Sequence, residues 1–309
     1  MSIFSNQKLI QVIKYVIPCI ILLIVIMEAN KFFKDFNWAL LEHYLDELSF
    51  WRIFFIIILG FICLSPMFFY DVILNRLLQV KIPMHKLLGY SLSANAYSNL
   101  IGFGGVAGAT LRTVYYRPYL DNNIPYIKVI AKLSLFYLCG LSILSWIVLI
   151  NGSELFSEVR LAHLAIWIVA IYTPLLLFVY FIKRKLQSLP IKREFITELL
   201  MISVFEWIFV VICIWGILNI VGVNFSLFSV FPIVIVAACA GIISMLPGGI
   251  GSFDLVILIG FESHGIPAEL TFMILMFYRL SYYFIPAVIG TPVVLNAICG
   301  HLKTKKFFS

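Results

Sequence analysis

The chain has 309 residues, of which 62% are hydrophobic and 12% charged. A soluble surface needs about a quarter charged residues, so this composition excludes a water-soluble globular protein and a sizeable soluble domain within it. The net charge of +7 would suit nucleic acid, but the basic residues fall where membrane topology places them, and no nucleic-acid partner is expected.

A membrane crossing needs about twenty apolar residues. Full crossings are predicted near residues 12–27, 53–74, 129–150, 162–182, 199–221 and 270–297. No small-residue cleavage pattern follows the first, which is therefore expected to stay as an anchor. After it, Phe33, Phe36, Leu40, Leu41, Tyr44, Leu45 and Leu48 recur at helical spacing, with Asp35, Glu42, Asp46 and Glu47 on the other side. That pattern predicts a helix lying on the outer leaflet, with partner docking as the alternative. Pro286 and Pro292 predict a kink in the last crossing.

Two further apolar stretches, about 87–111 and about 226–263, are each interrupted by glycines. The first break holds Gly102, Gly104, Gly105 and Gly108 before Arg112; the second holds Pro247, Gly248, Gly249 and Gly251 before Ser252 and Asp254. Broken backbone at membrane depth is tolerated only where protein or a water-filled cavity surrounds it. Paired breaks at matching places in two halves are the best sequence pointer to a transport site.

The basic residues orient the chain. Lys8, Lys14, Arg76, Lys81, Lys86, Arg112, Arg117, Lys128, Lys132, Lys183, Arg184, Lys185, Lys192, Arg193, Lys303, Lys305 and Lys306 fall on one side. Only Lys31, Lys34, Arg52 and Arg160 fall on the other. Positive residues mark the cytoplasmic side, so both termini are expected there. The 87–111 segment should then enter and leave from the cytoplasm, and 226–263 from outside. The expected fold is an all-α polytopic membrane protein, a single domain over 1–309. It has about six full crossings plus two glycine-rich re-entrant hairpins, making about eight hydrophobic segments. Its inverted half-repeats are about 1–152 and 153–301. The weak point is 226–246, which is almost long enough to span.

Ionisable residues inside a span cost at least about 2.5–3.5 kcal/mol each near the centre, so those present need a reason. Arg279 falls near mid-membrane and reads as a site residue, with a structural ion pair as the alternative. Glu206 falls a turn or two inside the fifth crossing, facing a cavity or the cytoplasmic interface. Asp71 falls near the cytoplasmic end of the second, with an interfacial pair to Arg76 as the plain alternative. Asp254 and Ser252 stand where a half-helix begins, and either suits an N-cap. Arg112 is either a cytoplasmic-edge cation or an anion contact beside a helix end. Glu262 and His264 read as solvated.

Cys19, Cys63, Cys139, Cys213, Cys239 and Cys299 all lie in apolar runs and read as core packing. Gly102, Gly104 and Ala107 fit a dinucleotide-binding pattern only loosely, with no strand before them. No Walker loop, H-E-x-x-H or G-x-S-x-G is present. No catalytic residue, metal site or cofactor is expected, and enzyme is the least favoured class.

Five runs then carry a resemblance: Phe69-Tyr70-Asp71-Val72-Ile73-Leu74; Ile101-Gly102-Phe103-Gly104-Gly105 with Arg112; Phe205-Glu206-Trp207; Pro247-Gly248-Gly249-Ile250-Gly251-Ser252-Phe253-Asp254; and Tyr278-Arg279-Leu280-Ser281-Tyr282-Tyr283. In order and spacing these resemble the flippase domain of the bacterial lysylphosphatidylglycerol synthase/flippase family, the multiple peptide resistance factors. The resemblance covers nearly the whole chain. It implies a plasma-membrane protein that moves lysyl- or alanyl-phosphatidylglycerol to the outer leaflet, protecting against cationic antimicrobial peptides. By the same likeness, Asp71, Arg112, Glu206 and Asp254 match charged positions tied to flipping. Two-part members add an aminoacyl-tRNA-dependent synthase domain, which is not expected before the stop at Ser309. A separate synthase is then a candidate partner, and a homodimer is possible. The expected mechanism places the arginines on the phosphate and the carboxylates on the amines. The alternatives are an ion-coupled transporter of a small solute or another lipid, and a scaffold that recruits a lipid synthase.

Overall fold

The computed structural model describes residues 36–101, 105–120, 125–151, 160–183 and 193–306. Every regular element among them is helical. The order is α1 (Trp38–Asp46), α2 (Phe50–Leu64), α3 (Phe68–Leu77), α4 (Met84–Ile101), α5 (Val106–Tyr116), α6 (Tyr126–Ser134), α7 (Cys139–Asn151), α8 (Arg160–Ala170), α9 (Tyr172–Lys183), α10 (Arg193–Val221), α11 (Leu227–Ser244), α12 (Ser252–Glu262), α13 (Ala268–Arg279) and α14 (Ile285–Lys306). Asn37, Ser49 and Ser226 cap α1, α2 and α11 by accepting backbone N–H groups, as short polar side chains do at helix starts.

Among the described residues six stretches are long and apolar enough to cross a membrane: Phe50–Leu77, Tyr126–Asn151, His163–Ile182, Glu194–Val221, Leu227–Ser244 and Ala268–Cys299. The chain is thus an all-α multi-pass membrane protein. Five of these match expected crossings, and the expected crossing at 12–27 lies outside the described residues. The sixth, Leu227–Ser244, is the segment whose length left spanning and re-entry in balance.

Two crossings are broken within themselves. In Phe50–Leu77 the turn Ser65–Met67 tightens to a 3-10 geometry where Pro66 lacks an N–H. In Ala268–Cys299, where Pro286 and Pro292 predict a kink, the π-helical segment Leu280–Phe284 ends two residues before Pro286, and Pro292 lies inside α14. Such π segments recur where a helix is interrupted for function.

Helix α10 runs through the centre, packed on α2, α3, α7, α11 and α13. Small residues bring its neighbours close. Gly140 of α7 lies against the backbone of Ser203 of α10, whose hydroxyl accepts the Gly140 N–H at 2.7 Å. Gly60 of α2 sits so close to Ser281 that an added Cβ would lie 2.6 Å from the Ser281 carbonyl oxygen.

The two glycine breaks each close a helical hairpin. In the first, Gly108 of α5 faces Ala94 and Ser98 of α4. In the second, Gly241 of α11 faces Phe253 of α12, and Ser252 donates to Ser244 at 2.8 Å. Gly102 and Gly104 fall outside the described residues, but Gly105, Gly248, Gly249 and Gly251 all take positive φ, which side-chain-bearing residues rarely adopt.

Several expectations change. The capping position of α12 belongs to Gly251; neither Ser252 nor Asp254 occupies it, and Asp254 instead accepts the Gly251 N–H from the third helical position. Cys63, Cys139, Cys213 and Cys239 are buried as expected, but Cys299 is exposed, because the last turns of α14 present that side outward. Helix α1 docks onto the start of α13: Phe36 packs edge-on against Phe272 at 5.6 Å, and Glu269 accepts the Asn37 N–H at 2.9 Å.

Candidate functional site

Asp71 and Arg112 form a pair with both side chains 0% exposed. Helix α3 carries Asp71 and α5 carries Arg112, so the contact ties the second hairpin arm to the first described crossing. Arg112 Nε donates to Asp71 Oδ1 at 2.8 Å and Nη2 to Oδ2 at 2.7 Å, the two-pronged geometry that suits guanidinium and carboxylate. Nη2 also donates to Asn95 Oδ1 at 2.6 Å. Asn95 in turn donates to the Met67 carbonyl at 3.2 Å and to Ser91 at 3.0 Å, so an amide on α4 braces both the ion pair and the broken turn at Pro66. Tyr116 donates to the Asp71 carbonyl at 3.1 Å, and the Tyr137 ring lies 5.7 Å from the guanidinium.

This geometry replaces two sequence-based alternatives. Asp71 is not paired with Arg76, which instead donates to Glu198 at 2.7 Å in an exposed contact. Arg112 is not an edge cation facing solvent, since it is the largest fully buried side chain of the described residues. Its Nη1 has no hydrogen-bond partner among the described residues, and neither has the buried Tyr137 hydroxyl. Gly108 faces that nitrogen; a Cβ there would lie 3.0 Å from Nη1.

Asp254 and Arg279 form a second pair, 21% and 14% exposed. Arg279 Nη2 donates to Asp254 Oδ1 at 2.7 Å and Oδ2 at 2.8 Å, while Nη1 donates to the Gly248 carbonyl at 3.1 Å. The glycine break thus turns a backbone carbonyl toward the arginine, and the Tyr283 ring covers the guanidinium at 5.5 Å. Arg279 ends α13, at the step into the π segment.

Glu206 stands apart. It follows Glu194 by twelve residues, about 18 Å along the helical stretch Glu194–Val221. It is 7% exposed and accepts one hydrogen bond, from the Tyr70 hydroxyl at 2.6 Å. It makes no ion pair among the described residues. The Tyr70 ring lies tilted against that of Tyr137, with centroids 4.5 Å apart, so Glu206 reaches the Asp71–Arg112 cluster through two tyrosines.

The five charged residues therefore fall into two clusters: Asp71, Arg112 and Glu206 in one, Asp254 and Arg279 in the other. A Cβ at Gly248 would lie 3.4 Å from the Leu100 carbonyl and 3.5 Å from that of Asn99, so the second break packs on the last turn of α4. Beside the first cluster a cavity of about 470 Å³ opens between α2–α3 and α4, lined by Phe61, Phe69, Leu88 and Leu92, with Ser91 and Asn95 also on its wall. Sequence reading missed Tyr70, Asn95 and Tyr137. The signal for Asn95 was Ser91, Ser93, Asn95 and Ser98 inside an otherwise apolar arm; the tyrosines carried none, because aromatic residues in spans are common.

The fold and these buried charges define a class: an all-α multi-pass membrane protein with ion pairs held between broken helices. The family described as "Lysylphosphatidylglycerol synthase TM region" matches residues 11–290, and the chain belongs to it. It is similar to a phosphatidylglycerol lysyltransferase of Staphylococcus haemolyticus, with 27% identity over 98% of this chain and 36% of the relative. It is also similar to the phosphatidylglycerol lysyltransferase of Staphylococcus aureus strain MRSA252, with 32% identity over 77% of this chain and 28% of the relative. The chain therefore spans about a third of the length of these curated relatives.

Proposed function

We propose that this chain is a lipid flippase. It moves aminoacyl-phosphatidylglycerol, lysylphosphatidylglycerol first, from the inner to the outer leaflet of the bacterial plasma membrane. The result is lower surface negative charge and resistance to cationic antimicrobial peptides. In this reading both termini are cytoplasmic, the glycine-broken hairpins are re-entrant, and residues 1–152 and 153–301 are inverted repeats. The lysyl transfer named in the relatives belongs to sequence this chain does not match; a synthase is a partner here and the chain itself is not the transferase.

The observation that carries this reading is the packing of the second break on the end of α4, with an Asp–Arg pair held beside each broken hairpin. Lysylphosphatidylglycerol carries one phosphate and two amines. Each Asp–Arg pair can open onto such a headgroup, arginine taking the phosphate and aspartate one of the two ammonium groups, so that neither member of the pair is left alone in a medium where that is costly. The unpartnered Arg112 Nη1 supplies a donor for a phosphate oxygen before Asp71 lets go. The cavity beside Asn95 leaves acyl tails on the lipid side while the headgroup follows the polar path. Repetition is supported by two matched close approaches. The second helix of each half meets the last helix of the other at a Gly–Ser contact, Gly60 on Ser281 and Ser203 on Gly140.

Asp254→Asn and Arg279→Gln should each cut lysylphosphatidylglycerol exposure at least tenfold in cells that co-express a synthase, with protein levels in the membrane unchanged. Full exposure in both variants at normal levels would remove these residues from the path.

A further inference from the structure

In the two site clusters three carboxylates, Asp71, Glu206 and Asp254, stand against two guanidiniums, Arg112 and Arg279; the further buried carboxylate, Glu269, is at the start of α13 and accepts the Asn37 N–H. Both guanidiniums are held two-pronged by the aspartates. The carboxylate left over from these pairs is Glu206, 7% exposed inside an apolar crossing, with a single hydroxyl donor and no cation on it among the described residues. An uncompensated carboxylate at such a position carries a large desolvation cost, which a bound proton removes.

The surroundings of Glu206 offer no other compensation. Tyr70 on α3 donates to it, and Tyr137, before α7, and Tyr282, in the π segment, lie close enough to interact with it electrically. Arg112 on α5 is the cation whose field reaches it, and that arginine is committed to Asp71. Cys63 on α2 is turned to Cys213, Cys239 on α11 to Ser145, and Tyr278 on α13 to Tyr283.

We infer that Glu206 exchanges a proton for the ε-ammonium of the lysyl headgroup, making the protein a proton–lipid exchanger. This rests on the flippase reading above and adds its coupling ion. With no lipid bound, Glu206 is a neutral acid and the embedded set carries no net charge. Lysylphosphatidylglycerol brings one phosphate and two ammonium groups, a net single positive charge. Its arrival splits the Glu206 O–H bond, the proton leaves to water, and the carboxylate pairs with the ammonium. When the lipid departs, the carboxylate takes a proton from water again. The embedded set plus headgroup is neutral at both stages. Alanylphosphatidylglycerol has one phosphate and one ammonium, so it leaves the Glu206 proton in place.

The test is proton release on binding, measured on the full chain in detergent by calorimetry in buffers of different ionisation enthalpy. Infrared difference spectra of the same samples report the protonated carboxyl group. The expected result is close to one proton released per lysylphosphatidylglycerol bound, and none for alanylphosphatidylglycerol. The infrared band should be lost on adding the lysyl lipid and absent in Glu206→Gln, which should also lose the proton release. Tyr70→Phe, which keeps the ring packing, should retain the release while shifting the band. Lysyl lipid binding with no proton release, or release that survives in Glu206→Gln, would overturn the exchange while leaving the flippase reading in place. Failure of either lipid to bind would overturn both.

Discussion

At the scale of single residues, the buried Asp71–Arg112 pair is where burial and charge meet most sharply. Removing one member of a buried ion pair leaves an unpaired charge and typically costs about 3–5 kcal/mol, while removing both costs far less. Asp71→Asn and Arg112→Gln should therefore each lower the unfolding temperature of the purified protein clearly, and the double variant should recover most of the loss. Additive losses in a thermal double-mutant cycle would mean that the pair is not coupled as its geometry requires. The candidate charges were legible one by one, because a charge inside an apolar run is conspicuous. Their partners were not. Arg76 is five residues from Asp71 and looked like the obvious mate, whereas Arg112 is reached only by folding the hairpin back across α3. Asn95 and Tyr70 were invisible for the same reason: an amide and a phenol in a span become informative only once something is within hydrogen-bond distance.

At the scale of elements, the departures from regular helix are also the places where the site is built. Pro66 lies within a local change of helical pitch and Pro286 just after one; the sequence reading expected a kink at the second and none at the first. The glycine breaks were equally legible, since positive φ at Gly105, Gly248 and Gly251 is what such runs are for. What the runs could not reveal was that the second break packs on the last turn of α4, a long-range contact that hydropathy does not encode. The close helix crossings make a further prediction. Gly140 has no space for a side chain against the Ser203 backbone, so Gly140→Leu should force α7 and α10 apart. Overpacking of this kind costs about 1–3 kcal/mol or more. Reduced thermal stability and less folded protein in the membrane are expected, and the opposite substitution, Ser203→Gly, should be milder. Equal stability of Gly140→Leu and the parent chain would show that the crossing is looser than described.

At the scale of the whole molecule, composition alone was enough to exclude a soluble protein, and the predicted crossings match five of the six described stretches that are long and apolar enough to span. The remaining one, Leu227–Ser244, shows the limit of that reasoning: eighteen apolar residues are compatible with spanning or with a hairpin arm buried against protein. Its packing on α7, α8, α10 and α12 supplies protein around it, which either topology tolerates. The central claim, lipid movement between leaflets, is tested most directly by labelling lysylphosphatidylglycerol on intact cells with a membrane-impermeant amine reagent. The host should lack this lipid and co-express a synthase domain, with or without this chain or its Arg279→Gln variant. The account predicts equal total lipid in all three strains, with surface labelling raised only by the parent chain. Equal labelling with and without the chain would contradict it.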